Sequence, residues 1–274
     1  MRWAKMNGNG NDFLVFDDRK RRFDAEALSR MARLLCRRRE AFGADGILVA
    51  GPSDRAAFSM RLFNSDGSEG EMCGNGARCM ARFAVETEII AGTGEMTFET
   101  LGGDVRAVVE GRRVRLLLAP VSLEGMVLDE PVVVGDEALR YSFLTVGVPH
   151  CVVFLRRPLP ERNLLLLGET LRHRQDLFPQ GTNVNFVVED GEGLFVTTYE
   201  RGVEDLTRSC GTGSTASAIV ACLLAKTGRE AAVRNPGGVN DVSLCFDGPR
   251  TVFPCLTGEA ALVGWVETTE EAFL

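Results

Sequence analysis

A chain of 274 residues with 31 Lys and Arg against 38 Asp and Glu carries a net charge of −7; it is long enough for one or two domains and lacks the basic surplus that binding to nucleic acid or an anionic membrane needs. Its apolar, charged and glycine contents are those of an ordinary soluble globular protein. The N-terminal residues lack the apolar centre of an export signal, and no stretch approaches the roughly 20 apolar residues of a membrane span, so a cytoplasmic location is expected.

In chain order, Gly10-Asn11-Asp12-Phe13 leads into the apolar run Leu14-Val15-Phe16. An amphipathic, peripheral helix is expected over 25–36, and the basic run Arg37-Arg38-Arg39, followed at once by Glu40, reads as a solvated face. Short strands over 47–49 and 60–63 precede Cys73-Gly74-Asn75-Gly76, then a helix over 77–86 with Arg78 and Arg82 on one side. Strands over 105–109 and 114–118 close the first half, with a boundary near Pro120. In the second half Gly147-Val148-Pro149-His150 leads into Cys151-Val152-Val153-Phe154. Strands over 186–188 and 194–196 precede Cys210-Gly211-Thr212-Gly213. The helix expected next, over 214–225, is apolar nearly all round and therefore buried, with Gly228 as its stop.

The second half repeats the first. Cys73 and Cys210 are 137 residues apart, and so are Gly10 and Gly147, while Gly102-Gly103 follows the first cysteine much as Gly237-Gly238 follows the second. The fold class expected is α+β: two pseudo-symmetric domains, each a mostly antiparallel curled sheet or barrel around a central helix. Their ranges are 1–119 and 120–263, with about 264–274 packing back onto the first.

Eight cysteines in a reducing cytosol are expected as thiols. With no Cys-x-x-Cys, and with His150 and His173 not spaced as ligands, no metal site is expected. Cys36, Cys79, Cys151, Cys222, Cys245 and Cys255 read as small buried hydrophobes. Cys73 and Cys210 differ, because each precedes Gly-x-Gly at a helix start. There, unpaired N–H groups and the helix dipole stabilise a thiolate, and glycine lets the backbone approach a carboxylate. Two such sites suit inversion of an α-carbon: one sulfur takes a proton as base, the other returns one as acid, and the helix amides stabilise the charge on the carboxylate. No cofactor is required if that stabilisation suffices.

The sequence resembles the diaminopimelate epimerase family over essentially its whole length. The match runs through Lys5-Met6-Asn7-Gly8-Asn9-Gly10-Asn11-Asp12-Phe13, Gly43-Ala44-Asp45-Gly46, Phe63-Asn64-Ser65-Asp66-Gly67-Ser68 and Met72-Cys73-Gly74-Asn75-Gly76-Ala77-Arg78. It continues through Pro149-His150-Cys151-Val152, Gly181-Thr182-Asn183-Val184, Tyr199-Glu200-Arg201-Gly202, Ser209-Cys210-Gly211-Thr212-Gly213 and Pro236-Gly237-Gly238. The resemblance implies an active site in the cleft between the domains and conversion of LL-2,6-diaminopimelate to its meso isomer, for lysine and peptidoglycan precursors. It implies Cys73 and Cys210 as the acid–base pair, with His150 and Glu200 near the catalytic centre. It implies that Gly74, Asn75, Gly211 and Thr212 bind the reacting carboxylate, and that Asn11, Asn64, Asn183, Glu200 and Arg201 line the substrate site. A homodimer is compatible with it and is encoded by no residue pattern.

Two positions depart from the family's pattern. Asn7 stands where the family has His, and Val148 where it has Asn in Gly-Asn-Pro-His. A lost donor in a polar site weakens binding by ~1–3 kcal/mol when a substrate group is left unpaired. Val148 therefore also fits a racemase of different or broader specificity, for example toward lysine. From another class, a non-enzymatic thiol switch or amino-acid-binding protein would use the same two cysteines without turnover.

Overall fold

The computed structural model describes residues 1–92 and 94–273. They form two compact units: Met1–Leu117 with the segment from Thr257 onward, and Leu118–Leu256. The first unit contains β1 (Arg2–Gly8), β2 (Asn11–Asp17), α1 (Ala25–Leu35), β3 (Gly46–Gly51), β4 (Ser59–Asn64), β5 (Glu69–Gly70), α2 (Gly74–Glu86), β6 (Glu95–Thr100), β7 (Gly103–Glu110) and β8 (Arg113–Leu117). The second contains β9 (Val121–Ser122), β10 (Val127–Val134), β11 (Glu137–Val146), β12 (Val148–Phe154), α3 (Glu161–Arg172), β13 (Asn183–Glu189), β14 (Leu194–Glu200), β15 (Asp205–Thr207), α4 (Gly211–Leu223), β16 (Glu230–Asn235) and β17 (Gly238–Asp247). After β18 (Thr251–Glu259), β19 (Ala261–Glu267) runs antiparallel to β1 from Arg2↔Glu267 to Asn7↔Ala261. That pairing brings the chain back to the first unit before residue 264.

One topology is built twice. β2 and β12, β3 and β13, and α2 and α4 each begin 137 residues apart. In the first unit β2 lies antiparallel to β1 and parallel to β3, which is antiparallel to β4. In the second, β12 lies antiparallel to β11 and parallel to β13, which is antiparallel to β14. A parallel pair needs a crossover, and α1 and α3 supply it. Sequence reading anticipates α1 but not α3, although the repeat would put a helix near residue 162. β19 flanks β1 as β10 flanks β11.

Strand alternation divides the second unit into two cores. Val152 of β12, Val187 of β13 and Val196 of β14 pack with Ala216, Ile219 and Val220 of α4 on one face. Cys151, Val153, Phe186 and Tyr199 pack with Leu164, Leu167 and Leu171 of α3 on the other. In the first unit Leu14, Phe16 and Ile47 meet Leu28, Ala32 and Leu35 of α1. Against the opposite side, α2 packs on β1, β2, β7 and β8. Each unit is thus a curled, mostly antiparallel sheet around a central helix.

The second central helix, α4, stops earlier than Gly228 suggests, whereas α2 ends at Glu86 as expected. Ala225 adopts φ 56°, while its N–H reaches Cys222 O (3.1 Å) and that of Lys226 reaches Ala221 O (2.9 Å), closing a left-handed C-cap without glycine. Glu88 takes the same conformation after α2, at φ 57°.

Gly168 lies inside α3, where Ala is intrinsically favoured over Gly by about 1 kcal/mol. A Cβ there would stand 2.6 Å from Tyr199 Cβ, on the buried surface of β14. Overpacking of this kind costs roughly 1–3 kcal/mol, so Gly168→Ala is expected to lower stability in urea unfolding. A gain approaching the propensity value would mean that α3 can move away from β14.

Candidate active site

Each cysteine of the repeated motif is an extended residue that caps a helix. Cys73 (φ −135°, ψ 122°) precedes α2, and its Sγ accepts the Gly76 N–H at 3.5 Å. Cys210 (φ −119°, ψ 113°) precedes α4, and its Sγ accepts the Gly213 N–H at 3.3 Å. The helices begin at Gly74 and Gly211, three residues before the sequence-based estimates, because sulfur takes the capping role usually played by a Ser or Asp oxygen. The Gly-x-Gly segments are therefore the first helical turns themselves. Thr212 Oγ1 lies 3.4 Å from Cys210 Sγ.

In the first unit a hydrogen-bonded relay reaches the helix start. Asn75 donates from Nδ2 to Asn11 Oδ1 (2.6 Å), and Asn11 Nδ2 donates to Asp45 Oδ2 (3.0 Å). Arg78 Nη2 donates to Asn75 Oδ1 at 2.5 Å. Arginine only donates and a carboxylate only accepts, so the two ends of the relay fix both amide orientations. Asp45 also accepts from Arg38, which bonds Asp12 as well (2.8 and 2.6 Å). Burial raises the Asp12 pKa, but Arg38 and Lys5 outweigh it and hold the carboxyl below its ordinary range. Asn64, at the exposed end of β4, pairs in register with Gly46 and donates to Ser68 Oγ at 3.0 Å. Asn11, Asn64, Cys73, Gly74 and Asn75 thus lie on one end of the first unit: at the start of β2, the end of β4 and the start of α2.

Sequence reading missed what Arg78 does. It is fully buried, with Nε and Nη1 unpartnered among the described residues. Burial pulls its pKa down, while Cys79 and Cys73 act the other way. It fits because Gly258 has no side chain: a Cβ there would be 2.8 Å from Arg78 Cζ.

The second unit gathers its residues in the same place. His150 of β12 is in register with Asn183 of β13, and Asn183 Oδ1 accepts the Arg201 backbone N–H at 2.7 Å. The Arg201 guanidinium also reaches Gln180 O at 2.8 Å. Glu200 ends β14, one step beyond the Val184↔Tyr199 pair. Burial raises the Glu200 pKa above its ordinary 4.5, with Thr207 acting the other way. His150 is completely buried and its pKa is pushed down to about 3, first by burial and then by the charge of Arg201. Asn185 is a second residue that sequence reading missed. Its only sequence signal is a polar residue between Val184 and Phe186 in the strand Asn183–Glu189.

Of the other cysteines, Cys36, Cys79 and Cys151 are buried as expected, while Cys222 and Cys255 are only half-buried. Burial pushes the thiols of Cys36 and Cys79 up to about 12, and that of Cys151 higher still. Cys245 is exposed rather than buried, because it shares the outward face of β17 with Ser243, opposite the buried Val242 and Leu244. Among the described residues no three His, Cys, Asp or Glu side chains gather as metal ligands do.

A duplicated α+β unit with a cysteine capping each central helix defines the class of protein. The diaminopimelate epimerase profile matches residues 3–121 and 142–263. A diaminopimelate epimerase of Caldanaerobacter subterraneus subsp. tengcongensis is 41% identical over 255 residues, covering 87% of this chain and 90% of that protein. One from Methanothrix thermoacetophila is 39% identical over 273 residues, covering 94% of each. A hydroxyproline epimerase from Agrobacterium vitis shares the fold, with a TM-score of 0.73 at 19% identity over 98% of this chain and 90% of its own. The chain belongs to the diaminopimelate epimerase family and is an isomerase.

The raised pKa of Glu200 has a consequence for stability. A group whose pKa is higher folded than unfolded contributes stability that is complete below the unfolded value and lost as pH rises through the folded one. Glu200→Gln, which stays neutral, is therefore expected to be more stable than the parent at neutral pH, with the difference closing below the ordinary value of 4.5. Urea unfolding at both ends of that range measures it. A variant less stable at neutral pH would mean that the surroundings favour the carboxylate.

Proposed function

We propose that the chain converts LL-2,6-diaminopimelate to meso-diaminopimelate without a pyridoxal cofactor, with Cys73 and Cys210 serving opposite faces of one α-carbon. The observation that carries this reading is the duplicated cap, a cysteine sulfur on the first-turn amide of each central helix. In this reading a thiolate of one cysteine removes the α-proton and the thiol of the other returns a proton from the opposite side. Charge developing on the carboxylate is met by the first-turn amides of Gly74, Asn75, Gly211 and Thr212, where two helix dipoles end. Asn11, Asn64, Asn183, Glu200 and Arg201 line the substrate, and Arg201 pairs with the distal carboxylate. The product serves lysine and cell-wall synthesis in the cytoplasm. Relatives bearing this name at 41% and 39% identity over most of the chain support the choice of substrate.

Val148 favours a second reading, a racemase of another long amino acid such as lysine. It is a half-buried residue at the start of β12, paired with Val146, and it offers no side-chain hydrogen bond. Under the first reading, Val148→Asn sharpens discrimination for diaminopimelate over lysine by about 1–3 kcal/mol.

Incubation in heavy water with LL-diaminopimelate or L-lysine, without added cofactor, separates the readings. Deuterium at the α-carbon together with epimerisation of diaminopimelate alone is expected. Exchange with lysine instead would move the function to the racemase, and exchange with neither substrate would leave a thiol switch as the better account. Cys73→Ala and Cys210→Ala are each expected to lose roughly 10²–10⁴-fold in epimerisation rate. An unimpaired single variant would rule out the two-base assignment.

A further inference from the structure

The tautomer of His150 is dictated by hydrogen bonds that can be read in only one way. A backbone carbonyl only accepts, so the Asn185 atom 3.1 Å from Cys151 O is its NH₂ group, Nδ2. The same nitrogen lies 3.1 Å from His150 Nδ1. An amide NH₂ only donates, so Nδ1 carries a lone pair and the ring proton sits on Nε2. The far end of the amide agrees: Asn185 Oδ1 accepts from Thr198 Oγ1 at 3.0 Å. A flipped amide would set two acceptors against each other at Cys151 O.

Every group in this arrangement is held. Val152↔Asn185 and Asn185↔Thr198 are register pairs across β12, β13 and β14, and His150, Asn185 and Thr198 are all buried. Asn185 also touches the helix start, because a Cβ on Gly213 would fall 2.3 Å from its Oδ1. Gly213 supplies the N–H that meets Cys210 Sγ. One side chain therefore contacts both the imidazole and the cysteine-capping turn. His150 Nε2, meanwhile, has no partner among the described residues.

Packing alone does not ask for these polar residues. At the repeat positions of His150 and Asn185 the first unit has Phe13 and Leu48, which lie against Gly76 as Asn185 lies against Gly213. The same strand-to-helix contact is made there with hydrocarbon.

We propose that Asn185 is a positioning residue of the active site, holding His150 as an imidazole with its proton on Nε2, so that His150 serves the reaction as a hydrogen-bond donor and not as a proton acceptor. The catalytic half of this inference rests on the proposed function; the tautomer does not.

The chain has two histidines, so His173→Gln on the exposed end of α3 leaves a single imidazole for long-range proton–nitrogen NMR of labelled, reduced protein. A pyridine-type Nδ1 and a pyrrole-type Nε2 are expected, unchanged from about pH 5 to about pH 9. Asn185→Asp is expected to move the proton to Nδ1. Asn185→Leu, which copies Leu48, is expected to fold and to give a mixture of tautomers. Both are expected to lower kcat roughly tenfold or more with a smaller change in KM, as loss of an oriented donor does. A protonated Nδ1 or a charged ring in the parent would overturn the proposal. So would a folded Asn185→Leu protein that keeps both the tautomer and kcat. Absence of α-proton exchange by the parent would instead overturn the proposed function and the catalytic half with it, leaving the nitrogen shifts to decide the tautomer.

Discussion

The contact between a cysteine sulfur and the third amide of a helix is the constraint on which the rest of the site depends. A helix start offers N–H groups with no acceptor inside the helix, and they must be met by a cap, solvent or an anion. Sulfur on Gly76 or Gly213 meets one of them, and it fixes the thiol beside the positive end of the helix dipole. The cap demands an extended cysteine and a first turn pressed tightly against the sheet. Glycine follows from that pressure. At Gly213 a methyl group would collide with Asn185, and at Gly8 of β1 it would stand 2.8 Å from Asn75 O on the first turn of α2.

Duplication gave both units this geometry, but the two helix starts are supported by different chemistry. In the first unit support comes from Arg78, Asn75, Asn11 and Asp45, a relay that ends in a solvent-facing ion-pair network. In the second it comes from His150, Asn185 and Thr198, which are uncharged and sealed within the sheet. Thr215 occupies the repeat position of Arg78, and its hydroxyl simply bonds back to Gly211 O at 2.9 Å. The buried cation is thus peculiar to α2. Such asymmetry costs stability, since both Arg78 and His150 keep buried nitrogens without partners.

What could be read from the sequence was local or periodic. Cys73 and Cys210 were legible because the capping signal lies within four residues and occurs twice. The apolar circumference of α4 announced its burial. The central strands announced themselves by composition. Support for the site was not legible, since its partners are far apart in the chain: Asn75 and Asn11 by 64 residues, Asn185 and His150 by 35. No period links such positions, and an isolated Asn in an apolar strand or an Arg in a helix carries no mark of what it will meet. α3 was missed for another reason. Its Leu-rich run lacks a capping side chain at Pro160, and the parallel pairing of β12 with β13 that requires a crossover is itself a tertiary fact. Cys245 was misjudged because the outward face of a strand is decided by register, not by residue type.

The two units carry different residues at equivalent positions of the repeat around their helix starts. Asn11 in the first unit corresponds to Val148 in the second, Phe13 to His150, Gly46 to Asn183, and Asn64 to Glu200 at the strand end. A scaffold lined identically on both sides would recognise the two halves of diaminopimelate equally and could not say which centre should react. Under the proposed function, discrimination must come from these unequal pairs. In that reading Val148 offers no side-chain hydrogen bond in the second unit, and the distal carboxylate is left to the Arg201 guanidinium. Its Nη1 is held by Gln180 O and its backbone N–H by Asn183 Oδ1. A cation held before pairing loses less entropy on meeting a carboxylate, and under the proposed function this offsets part of the contact that Val148 does not make.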